Sequence, residues 1–210
     1  MLSKKTVKTT TSARPLAPKL VLASGSRYRK ELLERLGLAF GVAAPNIDES
    51  PLPGEAPAAL ALRLAQAKAR AVAAAHPAAL IIGSDQVAEF AGTPVGKPRD
   101  RAHALEMLSA MSGRTIVFHT AIALLNAGTG RMQTALVDVA STFRALDRNA
   151  FDAYLERDQP YDCEGAVRVE SLGIALFTRV ASDDPTALIG LPLIRLIDML
   201  RAEGVEPLQV

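Results

Sequence analysis

The sequence predicts an α/β protein: a mixed central β-sheet flanked by helices, arranged as two closely packed lobes. Three observations predict it. Over residues 19–83 short apolar runs alternate with helix-period segments, as in βα and αβ units. Two long segments, 115–125 and 132–144, are joined by Asn126-Ala127-Gly128-Thr129-Gly130, a hairpin signal that makes the later strands antiparallel. The chain has 210 residues, 49% of them hydrophobic, enough for a sizeable core.

Each element follows in order. Residues 19–23 (KLVLA) form a short apolar run and predict a buried strand. Ser24-Gly25-Ser26 makes a tight turn. Residues 27–36 have helical spacing, with Leu32, Leu33 and Leu36 on one face and Gly37 as the stop. Residues 38–44 form a second strand, and 45–57 a Pro-rich loop holding Asp48 and Glu49. Residues 58–75 are Ala-rich and helical, ending at His76-Pro77. Residues 79–83 predict another buried strand, running out into Ser84-Asp85-Gln86-Val87. Gly92 marks a turn before Val95-Gly96-Lys97-Pro98. Asp100 and Asp147 cap helices that run to about 111 and 156. Residues 158–171 read as a polar loop and 172–179 as a strand. A last helix begins near Pro192 and runs to about 203.

Charge is unevenly distributed. Residues 1–19 carry Lys4, Lys5, Lys8, Arg14 and Lys19 and no acid. Setting those five aside from the 24 basic residues leaves 19 against 22 acidic ones, a net charge of −3. The domain itself lacks the basic excess of a nucleic-acid binder. Residues 1–18 are expected to be a disordered basic extension and 19–210 a single domain. The single cysteine, Cys163, rules out an intrachain disulfide and a CxxC metal site. No apolar run approaches the roughly 20 residues of a transmembrane helix. The basic start lacks the apolar stretch of a secretory signal. A cytoplasmic protein with no membrane partner is expected.

Several residues are suited to anion and metal chemistry. A strand–turn–helix element points backbone N–H groups at its turn, so Ser24, Ser26 and Arg29 can cradle phosphates. Either serine is equally well explained as a helix N-cap. Asp85 follows an apolar strand, where ligands of open α/β sheets gather, and a carboxylate there binds a hard metal or takes a proton from water. A turn-capping Asp explains it as well. Lys97 sits in a turn stiffened by Gly96 and Pro98, and Lys68 lies on the alanine-rich helix. Each taken alone is an ordinary solvated lysine. Asp48-Glu49 offer paired carboxylates, and Glu164, Arg168 and Glu170 cluster near Cys163. His76, His103 and His119 have no metal-ligand spacing.

The order of these pieces is more specific than any one of them. Leu22-Ala23-Ser24-Gly25-Ser26-Arg27-Tyr28-Arg29-Lys30-Glu31-Leu32-Leu33 resembles the opening signature of the Maf family, LAS-x-S-x-x-R-x-x-LL. Further landmarks follow in sequence: Ala44-Pro45-Asn46-Ile47-Asp48-Glu49, Arg63-Leu64-Ala65-Gln66-Ala67-Lys68-Ala69, Gly83-Ser84-Asp85-Gln86-Val87, Gly96-Lys97-Pro98, and Asp184-Pro185-Thr186-Ala187-Leu188-Ile189-Gly190-Leu191-Pro192-Leu193. The resemblance spans about residues 19–203. It implies a Maf/ITPase-like fold, a homodimer, and a pyrophosphatase that splits a nucleoside triphosphate into the monophosphate and pyrophosphate with a divalent cation (Mg²⁺, Mn²⁺ or Co²⁺).

The resemblance also implies residue roles. Asp85 falls on the proposed proton acceptor. Ser24, Ser26, Arg29, Lys68 and Lys97 fall on phosphate-binding positions, and Asp85 with Glu49 on the metal. Ser84-Asp85-Gln86-Val87 looks like the branch acting on 7-methyl-GTP, where the dTTP and UTP branch reads A-D-T-V. Gln86, Glu170 and Tyr28 then fall on base-recognition positions, with Glu170 expected as a buried acceptor. Two departures stand out. Arg27 replaces a usual proline, and Glu164-Gly165-Ala166-Val167-Arg168-Val169-Glu170-Ser171 replaces A-G-S-F-K-S-E-G. A pyrophosphatase of dTTP, UTP or CTP and a non-catalytic nucleotide-binding regulator of cell division are the alternatives. A nucleic-acid module acting through the basic tail ranks last.

Overall fold

The computed structural model describes residues 19–209; the expected disordered extension at 1–18 lies outside them. Seven strands form one mixed sheet: β1 Leu20–Ala23, β2 Phe40–Val42, β3 Leu80–Phe90, β4 Thr93–Val95, β5 Thr115–Asn126, β6 Met132–Phe143 and β7 Phe177–Ala181. Their order is β2-β1-β3-β5-β6-β7, with β4 folded back on β3. β2, β1 and β3 are parallel, and the remaining pairings are antiparallel. Five α-helices cover the sheet: α1 Arg27–Glu34, α2 Pro57–Ala73, α3 Arg101–Met111, α4 Arg148–Asp158 and α5 Leu193–Ala202. The α/β class and the mixed sheet are as the sequence predicts.

Strand alternation sorts the core. Val21, Ala23, Ile81, Ala121 and Ala123 face α2. Leu20, Leu22, Leu80, Ile82, Ile122 and Leu124 face the opposite way, onto α1 and α5. Farther along this second face, Ala88, Ile116, Phe118, Val137 and Val139 pack under α3 and α4. The long strands β3 and β5 run from the cluster under α1 and α5 to the cluster under α3 and α4. Between the clusters the same face carries Ser84, Gln86 and Thr120, a polar belt across the sheet. It receives the carbonyls of residues 187–190. Ser84 Oγ donates to Gly190 O (2.9 Å), Thr120 Oγ1 to Ala187 O (2.8 Å), and Gln86 Nε2 to Ala187 O (2.9 Å) and Leu188 O (3.1 Å).

The helix ends follow local chemistry. Ser26 caps α1, Asp100 caps α3 and Asp147 caps α4, each accepting a first-turn N–H. Pro192 stands one residue before α5 instead of opening it. The first N–H of α5, at Leu193, donates to Thr186 Oγ1 (2.8 Å), and the next two, at Ile194 and Arg195, donate to the buried Asp184 carboxylate at 2.7 and 3.4 Å.

Two further expectations fail. β3 does not stop at Gly83 but continues to Phe90, so Ser84, Asp85 and Gln86 are inside a strand. Their polarity suggests a loop, yet each pairs in register with β5, and tertiary partners meet each side chain. Residues Leu172–Leu176 form a 3-10 turn, not a strand, and β7 starts only at Phe177. The chain folds back so that Gly173 N–H bonds Arg168 O (3.0 Å), with no room for a Cβ at Gly173.

Gly83 decides how α2 sits. Ala61, Ala65 and Ala69 present only methyl groups to the sheet and are fully buried. A Cβ at Gly83 would overlap the Ala65 carbonyl oxygen and lie 2.8 Å from Ala69 N. Helix backbone cannot swing aside as a side chain can. Gly83→Ala is therefore expected to destabilise the fold by about 3 kcal/mol, the upper end for overpacking. Urea unfolding would read this as a lower midpoint at an unchanged slope.

Candidate active site

β1 pairs with β3 only as far as Ala23 and Gly83, and β4 begins pairing at Ala88. Between them the edge of β3 is free, and Asp85 and Gln86 sit in that gap. Neighbouring strand residues point to opposite faces, so a cavity touching both must lie at the strand edge. A cavity of about 580 Å³ is found there. The turn leaving β1 brings Ser24 and Ser26, and α1 brings Tyr28 and Arg29, while the turn leaving β4 brings Lys97. The β2–α2 loop brings Glu49, α2 brings Lys68, and Glu170 arrives from the far end of the chain. The structure thus gathers all ten residues singled out from the sequence around one space. Asp85 is placed by the end of β1, not by the end of its own strand.

The acidic centre is tightly built. Lys68 Nζ lies 2.6 Å from Asp85 Oδ1 and 3.0 Å from Glu49 Oε2. Lys68 and Asp85 are buried, whereas Glu49 is half exposed. Burial pushes the Asp85 carboxyl above the usual range, with Lys68 and Arg29 pulling it back and Glu49 adding to the rise. A carboxylate held in this way is a stronger base than one in water. The Glu49 loop is fixed from outside the cavity. Arg63 grips Glu55 through Nε–Oε1 (2.7 Å) and Nη2–Oε2 (2.8 Å), and Nη2 also donates to Ser50 O (2.9 Å).

The phosphate-type residues form a second group. Ser24 Oγ accepts the Ser26 N–H at 3.1 Å and lies 3.5 Å from Arg29 Nη1. Ser26 Oγ accepts the Arg29 N–H at 3.4 Å, so Ser26 is the cap that the simpler reading allowed as well as a cavity residue. Arg29 Nε donates to Gly190 O at 2.9 Å, which fixes the guanidinium plane. Its burial weakens the hold on its proton, against the pull of Asp85, Glu49 and Glu164, but a guanidinium stays charged. Lys97 is exposed, and no hydrogen-bond partner holds its ammonium among the described residues.

The base-recognition candidates are differently placed. Gln86 commits its amide nitrogen to Thr120 Oγ1 (2.9 Å) and to the Ala187 and Leu188 carbonyls, leaving its oxygen for a ligand. Tyr28 Oη accepts from Arg168 Nε (2.9 Å) and donates to Asp162 Oδ2 (3.1 Å). The Arg27 guanidinium lies 4.6 Å from the Tyr28 ring centroid. One ring face therefore already carries a cation. Glu170 is exposed at the rim and not the buried acceptor expected, because the chain turns at Ser171 toward the 3-10 turn. Partial burial still raises its pKa.

One cavity residue was seen in the sequence only as part of an acidic cluster. Glu164 opens a 3-10 turn, Glu164–Ala166, and burial pushes its carboxyl up to about 7. Nothing local marks it, since its surroundings come from β3, β4 and α1. His119 lies outside the cavity, between Asp138 (2.7 Å) and Glu89 (3.0 Å) across three strands.

No group of three or more His, Cys, Asp or Glu side chains able to hold a metal ion occurs among the described residues. Asp85 and Glu49 flank the Lys68 ammonium through one oxygen each, Oδ1 and Oε2, which leaves the second oxygen of each carboxylate as a hard donor. Two carboxylates suit a cation that takes its other ligands from water and phosphate, as Mg²⁺ does.

The Glu55 clasp has a testable pH signature. Hydrogen bonds from Arg63 and from the Leu52 N–H hold the Glu55 carboxyl down at about 2 in the folded chain. Its stabilising effect is complete above the unfolded carboxyl value and disappears as pH falls to about 2. Glu55→Gln should therefore lower Tm at pH 7, with the gap from wild type closing between about pH 4.5 and pH 2.

The family model described as Maf-like protein matches residues 19–203. A protein of Cupriavidus metallidurans named 7-methyl-GTP pyrophosphatase is 55% identical over 187 residues, 89% of this chain and 94% of that protein. Proteins of the same name from Methylobacillus flagellatus and Thiobacillus denitrificans are each 54% identical, over 90% and 91% of this chain and 98% and 96% of their own lengths. A cavity lined by both cations and carboxylates at a gap in the β3 edge and a family match over nearly all the described residues agree: the chain belongs to the Maf family.

Proposed function

We propose that this chain is a nucleoside triphosphate pyrophosphatase acting on 7-methyl-GTP, releasing the monophosphate and pyrophosphate. The observation that carries the reading is the buried Asp85 carboxylate, its basicity raised, at the floor of a cavity that also holds Arg29, Lys68 and Lys97. A triphosphate is a concentrated anion with only acceptor oxygens, and these three cations match it. The name borne by relatives at 53–55% identity supports the same substrate.

In this reading Asp85 accepts the proton of the attacking water, and the P–O bond between the α- and β-phosphates breaks. Arg29 and Lys97 neutralise the charge that grows on the leaving pyrophosphate. Lys68 holds Asp85 and Glu49 in place. Asp85 and Glu49 would hold a divalent cation (Mg²⁺, Mn²⁺ or Co²⁺), which supplies Lewis-acid polarisation of the phosphates. The base lies toward Gln86, Glu170 and Tyr28, with Gln86 offering its amide oxygen and Glu170 its carboxylate to the N–H edge of guanine. A cytoplasmic homodimer is part of this reading.

A panel of 7-methyl-GTP, GTP, dTTP, UTP and CTP, scored for released pyrophosphate with each metal, tests it. Highest kcat/KM on 7-methyl-GTP is expected, and no pyrophosphate from any nucleotide ends the reading. Asp85→Asn should cut kcat about 10²-fold or more. Removing one partner of a buried ion pair also destabilises. Circular dichroism and a melting curve on the same sample separate lost chemistry from lost fold.

The rim position of Glu170 calls for a separate measurement. Glu170→Gln should lower kcat/KM for 7-methyl-GTP by about tenfold, a lost hydrogen bond to a charged group being worth about 1.5–3 kcal/mol in general. The value for UTP should move much less. Equal changes on both substrates would take Glu170 out of base recognition.

A further inference from the structure

Glu164 is a cavity carboxylate that the reaction above leaves without a task, and unlike Asp162 it has no hydrogen-bond or ion-pair partner among the described residues. Its side chain lines the main cavity and a smaller adjoining one of about 360 Å³ beneath β4. Its placement is nonetheless fixed. Gly165 N–H donates to Gly96 O (3.1 Å), Gly165 packs against Ile116 and Met111, and Ala166 O accepts from Tyr154 Oη (3.2 Å). Glu164 Oε2 lies beside Gly96, 3.9 Å from where a Cβ would be, next to the turn that carries Lys97.

The charges around it come from four elements. Lys97 approaches from the β4 turn and Arg29 from α1, while Asp85 on β3 and Glu49 on the β2–α2 loop oppose them. A triphosphate entering this space brings only acceptor oxygens. An ionised carboxylate would repel it, whereas a carboxylic acid has an O–H to donate. Burial holds Glu164 near the crossover between these two forms, with a pKa of about 7.

We propose that Glu164 is a further substrate-contacting residue, which meets the triphosphate as a carboxylic acid and donates a hydrogen bond to a phosphate oxygen beside Lys97. The inference rests on the pyrophosphatase reading. No bond is made or broken at Glu164, and its proton stays on its own oxygen through the hydrogen bond. Loss of that proton at higher pH turns the donor into a repelling charge and limits substrate capture.

The test compares wild type, Glu164→Gln and Glu164→Ala on 7-methyl-GTP from pH 6 to pH 9. The substrate's own groups titrate identically in all three, so the differences between profiles report the enzyme. Wild-type kcat/KM should fall by up to about tenfold per pH unit above neutrality, relative to Glu164→Gln. At pH 8.5 Glu164→Gln, whose amide keeps a donor, should exceed wild type by about tenfold. Glu164→Ala, lacking the donor, should lie severalfold below Glu164→Gln throughout. Calorimetry with α,β-methylene-GTP, which cannot be cleaved between those phosphates, supplies a readout apart from turnover. At pH 8, in buffers of different protonation enthalpy, wild type should take up a proton on binding and Glu164→Gln should not. Superimposable pH profiles overturn the proposal, as does a loss of about 100-fold in Glu164→Gln at pH 6 or no proton uptake by wild type. If wild type turns over no nucleotide, the pyrophosphatase reading fails, and the calorimetric result still decides whether Glu164 binds triphosphate as an acid.

Discussion

The close seating of α2 on β3 is the constraint on which the site depends. Gly83 lets the Ala65–Ala69 backbone approach without an intervening side chain, which carries Lys68 into a buried position against Asp85. A buried carboxylate without a partner would be protonated or would destabilise the fold. A buried lysine alone would shed its charge. Each makes the other tolerable, and the half-exposed Glu49 completes the triad from the solvent side. The alanine-rich helix, which looked in the sequence like mere helix propensity, is the surface that permits this approach.

The second organising feature is the free stretch of β3 between β1 and β4. Closing that edge would bury Asp85 and Gln86 in the ladder, whereas leaving it open gives a ligand access to both faces of the sheet at once. The polar belt of Ser84, Gln86 and Thr120 answers the carbonyls of residues 187–190. Those carbonyls in turn align Arg29 through Gly190. Phosphate-type and base-type residues are thus set by one short segment that contributes backbone atoms and no catalytic side chain.

Much of the fold was legible because it rests on local rules. The caps at Asp100 and Asp147 and the hairpin after Asn126 lie where spacing and turn chemistry put them, whereas α1 ends at Glu34, short of the expected stop at Gly37. The extension of β3 was not legible, because Ser84-Asp85-Gln86 reads as loop until Lys68, Thr120 and residues 187–190 supply partners from elsewhere. Gly173 misleads in the opposite direction. The apolar run after it resembles a strand, and only the close return onto Arg168 turns it into a 3-10 turn. The candidate site was legible as an ordered series of motifs whose members are individually weak. Glu164 was visible only as one member of the group with Arg168 and Glu170, and Glu170 was placed too deep, because burial at a cavity rim is set by distant elements and not by flanking residues.

The bond between Arg29 and Gly190 joins positions 161 residues apart in the chain. Contacts of such separation form late, since a long loop must close before they contribute. During synthesis the first strand and helix leave the ribosome long before the segment that aligns Arg29, so a partly made chain holds the early motifs with their guanidinium unaligned. Alignment of Arg29 must await the segment that carries Gly190. A ribosome-bound intermediate ending before residue 187 would own nearly every polar side chain of the cavity and still lack the backbone carbonyls that set their directions.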